Sequence, residues 1–403
     1  LYLAPESLPL SRLAPAWAAT DEVAIAEYLV RGCFYGQATP FAGVRKLDQA
    51  LVLRIGRDGQ QSARHWQPRF EPSGEATAAQ LLDELDALLG QATRRLLAAL
   101  PAPALLLSGG VDSRLMLAYL LRQGVRLPSY SYRVEPSTGE DHVIAARLAE
   151  LTGIPHQPFV IGIDGFATNA VAETLACDGR VQICDAPSSR WSHIGAGHGA
   201  MFIGDECFGW KAEARDREQA LDVVGWWNID VSPRMADSLR PDTLRRVQAG
   251  IDTELRRLTD AAVSTHPNGL KDELYYTQRV ANLLNGFSAR RLAVCEQARP
   301  LLDEDVVAFF TRVPHRLRVD KQLARDLLAQ RFPELAAVPY SRKTSVPWDE
   351  AVFLQAVRRQ PDLQDFILGH LSDGLCSALA TMFDRDRLSA LACAYLQGDK
   401  LPP

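Results

Sequence analysis

No GxxxxGK[ST] segment occurs anywhere in the 403 residues, so a kinase-type phosphate loop is excluded. The seven cysteines, Cys33, Cys177, Cys184, Cys207, Cys295, Cys376 and Cys393, are odd in number and widely spread, and none forms a CxxC pair. That pattern argues against a disulfide framework and a structural zinc site, and it fits a reducing cytoplasm. No apolar run approaches the roughly 18 residues that a membrane span needs. The longest, LLAALPAPALLL at 96–107, is broken by prolines, so no membrane span is expected. An excess of positive charge is also missing: the net charge is -5 and the pI about 6.0. Without a basic footprint, nucleic acid is not an expected partner, although small anions are compatible with local positive sites. Lysine itself is scarce, with only six among 44 basic residues, at 46, 211, 271, 321, 343 and 400.

What is present is ordinary globular material, 47% hydrophobic and 23% charged, with room for one large domain and a smaller one. The first 75 or so residues read as strands and turns and end in ALVLRIGRDGQQSARHW, where Asp58-Gly59 marks a hairpin between two strand-like runs. A polar stretch follows, and from Ala78 the apolar residues Leu81, Leu82, Leu85, Leu88 and Leu89 recur at helical spacing. Beyond this boundary the strand-like runs ALLL, SYSYRV, HQPFVI and AMFI alternate with helices stopped at Gly124 and Gly153. After Asp216 the pattern is helical. The expected fold is α/β, a Rossmann-like doubly wound parallel sheet over 76–403 with a helical C-terminal half, preceded by a partial β-rich segment over 1–75.

The segment LLLSGGVDSRLML carries the chemistry. A strand ending in Ser108-Gly109-Gly110 and continuing into a helix at Ser113 gathers backbone N–H groups and a helix N-terminus around one point, a cradle for phosphate. A carboxylate at Asp112 would repel a bare phosphate, but it suits one that arrives with magnesium. The motif therefore asks for a magnesium-bound nucleotide. The plainer alternative is a tight turn in which Asp112 and Ser113 only cap the helix.

The SGGVDS run resembles the signature of the PP-loop ATP pyrophosphatases, which split ATP between the α and β phosphates. Within them the chain is similar to the asparagine synthetase group. GEDHVIAARLAELTGIPHQ, GDECFG, CEQARPLLDEDVVAFFTRVPHRLRVDKQLARDLL and YSRKTSVP each resemble that group's motifs, in order. ATPFAGVRKLD and the hairpin ending in Trp66 resemble the last strands of its glutaminase domain, which makes 1–75 a remnant of that domain and 76–403 the ligase domain. The group's N-terminal nucleophilic cysteine has no counterpart: the chain opens on Leu1, and Cys33 sits in a helix-to-turn stretch that reads as structural. A preceding segment or a partner protein is expected to supply ammonia, if glutamine is the nitrogen source. Phe202 stands where the group often has an acid–base residue, and Arg299 falls one place later than in its pattern.

The resemblance implies an ATP-dependent amide former that adenylates a carboxylate substrate and passes the acyl group to ammonia or an amine nucleophile. The reaction would be asparagine synthesis, or a specialised closure such as a lasso-peptide macrolactam; a catalytically silent binding subunit is the alternative from another class. ATP and pyrophosphate are expected on Ser108, Gly109, Gly110, Asp112 and Ser113, and Mg2+ on Asp112 and Asp205, with Glu206 able to share the latter role. Lys343 is expected to reach the reacting carbonyl and the α-phosphate, as a compact ammonium suited to developing negative charge. Lys321 has the weaker case for such a role, because beside Arg325 on a helix surface an ordinary charged face explains it. Glu296 has two readings, a base or orienting group for the amine, and a structural carboxylate paired with Arg290, Arg291 or Arg299. His142, His156, His193 and His198 read as structural, and Trp191, Trp210, Trp226, Trp227 and Trp348 as packing residues.

Overall fold

The computed structural model describes residues 1–72, 76–134, 139–161, 166–181, 197–205, 213–224, 233–341, 357–371 and 379–397. Its centre is a five-stranded parallel sheet in the order β5-β4-β3-β6-β7. The strands are β3 Pro103–Leu106, β4 Ser129–Val134, β5 His156–Ile161, β6 Ala200–Ile203 and β7 Glu296–Ala298. The chain enters at the middle strand, winds outward through β4 and β5, and then places β6 and β7 on the other side of β3. This is the doubly wound arrangement, and its reversal of direction falls between β3 and β6.

Side-chain alternation sends successive residues of β3 and β6 into two cores. Leu105 and Phe202 join the larger core with the helices Ala78–Ala99, Val111–Arg122 and Asp141–Thr152. Ala104, Leu106, Met201 and Ile203 pack under Tyr130, Tyr132 and Phe159 on the other face. Coverage of both faces is what a parallel sheet requires. Leu85, Leu89, Leu105 and Leu115 are fully buried, each contributing about 1.5 to 3 kcal/mol. Thr77 and Gln80 form a reciprocal capping box that opens Ala78–Ala99. Gly153, with φ of 66°, closes Asp141–Thr152 in the left-handed conformation that favours glycine.

The N-terminal segment contains the expected hairpin, β1 Leu51–Gly56 and β2 Gly59–Arg64, paired so that Arg57 and Asp58 form the loop. It also contains a helix, Glu22–Arg31, where strands and turns were expected. Asp21 caps this helix by accepting the Ala24 N–H at 3.0 Å, and Gly32 ends it. Ala26 packs with Val247 and Ile251 of the helix Pro241–Asp260, so tertiary burial fixes the segment as helix. The C-terminal half is helical, as expected, and includes a π-helix, Tyr275–Leu284, that runs on into Asn285–Leu292. No described helix is long and apolar enough to cross a membrane.

Candidate active site

The SGGVDS turn leaves β3 at the point where the winding reverses, and Gly204-Asp205 leaves the adjacent β6 at the same carboxyl edge. Ligands of open α/β sheets bind in this crevice. Gly204 packs so closely on the start of the helix Val111–Arg122 that a Cβ there would stand 2.3 Å from the Ser113 nitrogen and 2.6 Å from the Asp112 carbonyl carbon. Only glycine allows that approach.

Within the turn, the Ser113 hydroxyl accepts the Ser108 N–H at 3.1 Å and lies 2.8 Å from the Ser108 hydroxyl. The Ser108 oxygen in turn accepts the Gly110 N–H at 3.3 Å. These bonds set the loop's shape. Gly110 is the N-cap, and no side chain caps the helix. Asp112 and Ser113 therefore do not serve as caps, and the helix start keeps the character of an anion site. The Gly109 N–H donates to Asp141 Oδ1 at 3.1 Å, a carboxylate standing where a phosphate oxygen would be received.

Asp112 is buried, with 7% of its surface exposed. One of its oxygens is ion-paired with the Lys321 ammonium, and the other, Oδ1, has no hydrogen-bond partner. Lys321 reaches it from a strained backbone: Asp320 and Lys321 have φ of 48° and 60°, both in the left-handed region. Two successive non-glycine residues there cost about 1 to 3 kcal/mol each and turn the lysine away from the following helix. Asp205 faces cations instead. Arg299 Nη1 lies 3.3 Å from Oδ2, Arg291 Nη1 lies 3.6 Å from Oδ1, and the Ser288 hydroxyl donates to Oδ2 at 3.3 Å.

Magnesium takes one or two carboxylates, several waters and phosphate oxygens rather than an all-protein cage. The bare Asp112 Oδ1 fits such an ion, whereas both Asp205 oxygens are engaged by arginines or serine. Among the described residues no group of three His, Cys, Asp or Glu side chains is placed to hold a metal.

The segment that leads toward YSRKTSVP is fastened to the turn by Arg114, which is fully buried. Its guanidinium donates to the carbonyls of Leu335 at 2.9 Å, Val338 at 2.6 Å, Pro339 at 3.1 Å and Gly109 at 3.3 Å, and lies 4.0 Å from the centre of the Tyr340 ring. The Ser341 N–H donates to the Gly109 carbonyl at 3.4 Å. Arg114→Met is expected to cost about 2 to 3 kcal/mol, since it strips donors from buried carbonyls. Urea unfolding measures the loss, and faster amide exchange at Val338, Tyr340 and Ser341 locates it.

The other expected site residues divide. Lys343, Glu206, His193 and the five tryptophans singled out above lie outside the described residues. Glu296 is exposed and pairs with Ala200, the first residue of β6, so parallel pairing sets it at the amino edge of the sheet, away from the turn. Arg299, three residues on, emerges at the carboxyl edge and meets Asp205. His156 is held between the Ser129 and Ser131 hydroxyls at 2.9 and 3.0 Å, and His198 lies 2.6 Å from the Tyr130 hydroxyl, so both have structural partners. Gly204, Arg114, Asp141 and Lys321 were not singled out as site residues by sequence reasoning. Arg114 directly follows the motif, and lysine scarcity was the available signal for Lys321.

A family model described as asparagine synthase matches residues 84–190. That span holds Ser108 to Ser113, Arg114 and Asp141 but not Asp205, Lys321 or Lys343. No curated protein matches the chain. Among solved structures, the NMN synthetase from Francisella tularensis is 15% identical over 54% of this chain and 97% of its own, with a TM-score of 0.25, too low to bear on the argument. Over residues 84–190, the segment that carries the SGGVDS turn, the chain is similar to the asparagine synthase family.

Proposed function

We propose that the chain is an ATP-dependent, amide-forming ligase. A substrate carboxylate oxygen attacks the α-phosphorus, the bond to the β-phosphate breaks, and pyrophosphate leaves. An amine or ammonia then attacks the acyl carbon and AMP departs. The observation that carries this reading is the uncapped SGGVDS turn, which combines a bare Asp112 oxygen with the Lys321 ammonium at the switch point of the sheet.

The roles follow from charge. The N–H groups that open the helix Val111–Arg122, together with Lys321, take the negative charge that collects on the leaving pyrophosphate, a stabilisation that grows in the transition state. Magnesium, when bound at Asp112, neutralises phosphate charge. Asp141 vacates the Gly109 amide as a phosphate oxygen arrives. Arg299 and Arg291 keep the Asp205 side of the crevice cationic, suited to a carboxylate substrate. Lys343 is assigned to the reacting carbonyl and the α-phosphate, and Ser341 beside Gly109 supports that assignment.

Beside this edge lies a cavity of 1630 Å³ that reaches Arg299 and Asn285 from the N-terminal segment. Small-molecule sites usually occupy about 300 to 1,000 Å³. A cavity of this size accommodates a substrate larger than aspartate, such as a peptide closed to a macrolactam, beside the asparagine-forming alternative. Incubation with Mg-ATP and either aspartate or a peptide bearing an internal acidic side chain, followed by mass spectrometry, tests the proposal. An AMP adduct of the carboxylate with equimolar pyrophosphate is expected. Release of ADP and phosphate would overturn the reaction type.

A further inference from the structure

Among the cations that line the cavity, Lys46 and Arg180 stand on the side away from the turn. Lys46 donates to the Phe34 carbonyl and to Asn282 Oδ1, both at 2.7 Å, so its contacts are to neutral acceptors and a third N–H is left over. Arg180 also lines the cavity, is half-buried, and has no ion-pair partner among the described residues. An isolated antiparallel bridge between Cys33 and Val181 brings it beside the 33–46 stretch. The nearby acids are already committed: Glu27 to Arg31 at 3.2 Å, Glu254 to Arg257 at 2.7 Å, and Asp178 to the Ser7 and Leu8 amides at 2.7 and 3.0 Å. Burial pushes the Lys46 ammonium down to about 8, opposed by Cys33 and Glu27; the Arg180 charge adds a smaller push downward, and Glu254 a smaller one upward. Among the described residues neither cation has an ion-pair partner, and holding the Lys46 ammonium out of water beside a second positive charge is costly, a cost that an arriving anion relieves.

The floor of the cavity links this pair to the crevice. Gln278, Asn282 and Asn285 follow at intervals of four and three residues along one helix face and all line the cavity. Gln278 Oε1 accepts the Gly36 N–H at 2.9 Å and an Asn282 amide proton at 3.3 Å, and Arg299 Nη1 donates to Asn285 Oδ1 at 2.8 Å. Lys46 and Arg299 are thus anchored about one helical turn apart, roughly 5 Å of rise.

We propose that Lys46 and Arg180 form a carboxylate-binding subsite in this cavity, and that it holds a carboxylate of the substrate other than the one activated at the SGGVDS turn. The word substrate rests on the ligase reading; the subsite does not. It acts as a positioning element: a substrate anchored there and at Arg299 presents its reacting carboxylate to the crevice in one orientation.

Calorimetric titration of the full chain with glutarate, without ATP, tests the subsite, with inorganic phosphate titrated in parallel. Glutarate is expected to bind about tenfold or more weakly to Lys46→Met and to Arg180→Met, the loss of one charge-assisted contact in each. Arg180→Lys, which keeps the cation, is expected to recover most of the affinity, a rescue that a folding defect would not show. Equal glutarate affinity in wild type and both variants, or no binding in wild type, would overturn the proposal. Tighter binding of phosphate, lost in the same variants, would assign the site to phosphate and overturn the carboxylate. Variant-sensitive glutarate binding without any AMP adduct defeats the ligase reading alone, and an adduct without such binding defeats the subsite alone.

Discussion

Gly204→Ala is expected to lower carboxylate-dependent exchange of labelled pyrophosphate into ATP by a hundredfold or more. The added methyl would stand 2.3 Å from the Ser113 nitrogen and 2.6 Å from the Asp112 carbonyl carbon, and these are backbone atoms at the start of a helix, not the ends of flexible side chains. Relief requires β6 and the helix to separate, which moves Asp205 and Asp112 relative to each other. Displacements of about 1 Å in a reacting constellation cost on the order of a hundredfold in rate, and overpacking costs about 1 to 3 kcal/mol in stability. Gly56→Ala is the matched control, because a Cβ there meets nothing within 4 Å. Near-normal exchange in Gly204→Ala would show that the two strand ends do not act as one site.

The parts of the fold that could be read from the sequence are those where local pattern and tertiary burial agree. β3 and β6 are apolar runs whose two faces enter two cores, so their identity did not depend on a partner. β7 is different: Glu-Gln-Ala has no strand preference, and pairing with β6 alone makes it extended. That pairing also explains Glu296 and Arg299 together. A residue opposite Ala200 belongs to the amino edge, and one three places later belongs to the carboxyl edge, so the arginine reaches Asp205 although it stands one position off the familiar spacing. The Glu22–Arg31 helix was hidden in a stretch expected to be strand, although Asp21 and Gly32 mark its ends.

Lys321 shows a limit of another kind. A charged residue beside Arg325 on a helix surface reads as solvated, and periodicity carries that reading forward only if the backbone stays helical. Here Asp320 and Lys321 turn left-handed, and the side chain is redirected into the site to meet Asp112. No local pattern announces a non-glycine residue with positive φ, because the compensating contact is 209 positions away in sequence.

Asp112→Asn is expected to lower the same exchange by at least a thousandfold, because it removes the carboxylate charge that suits magnesium and that positions Lys321. Its effect on binding separates a metal-bearing carboxylate from a mere ion-pair partner. Loss of Asp112 removes a carboxylate that competes with phosphate for the Lys321 ammonium, so an ion-pair role alone predicts tighter pyrophosphate binding with or without magnesium. A metal-bearing role predicts that the gain from magnesium disappears. The deciding measurement is therefore the titration of wild type and Asp112→Asn with pyrophosphate, each with and without magnesium. Magnesium should strengthen binding to wild type at least tenfold and leave the variant unchanged, whereas an equal magnesium effect in both proteins would contradict the assignment of the SGGVDS turn as a Mg-nucleotide site.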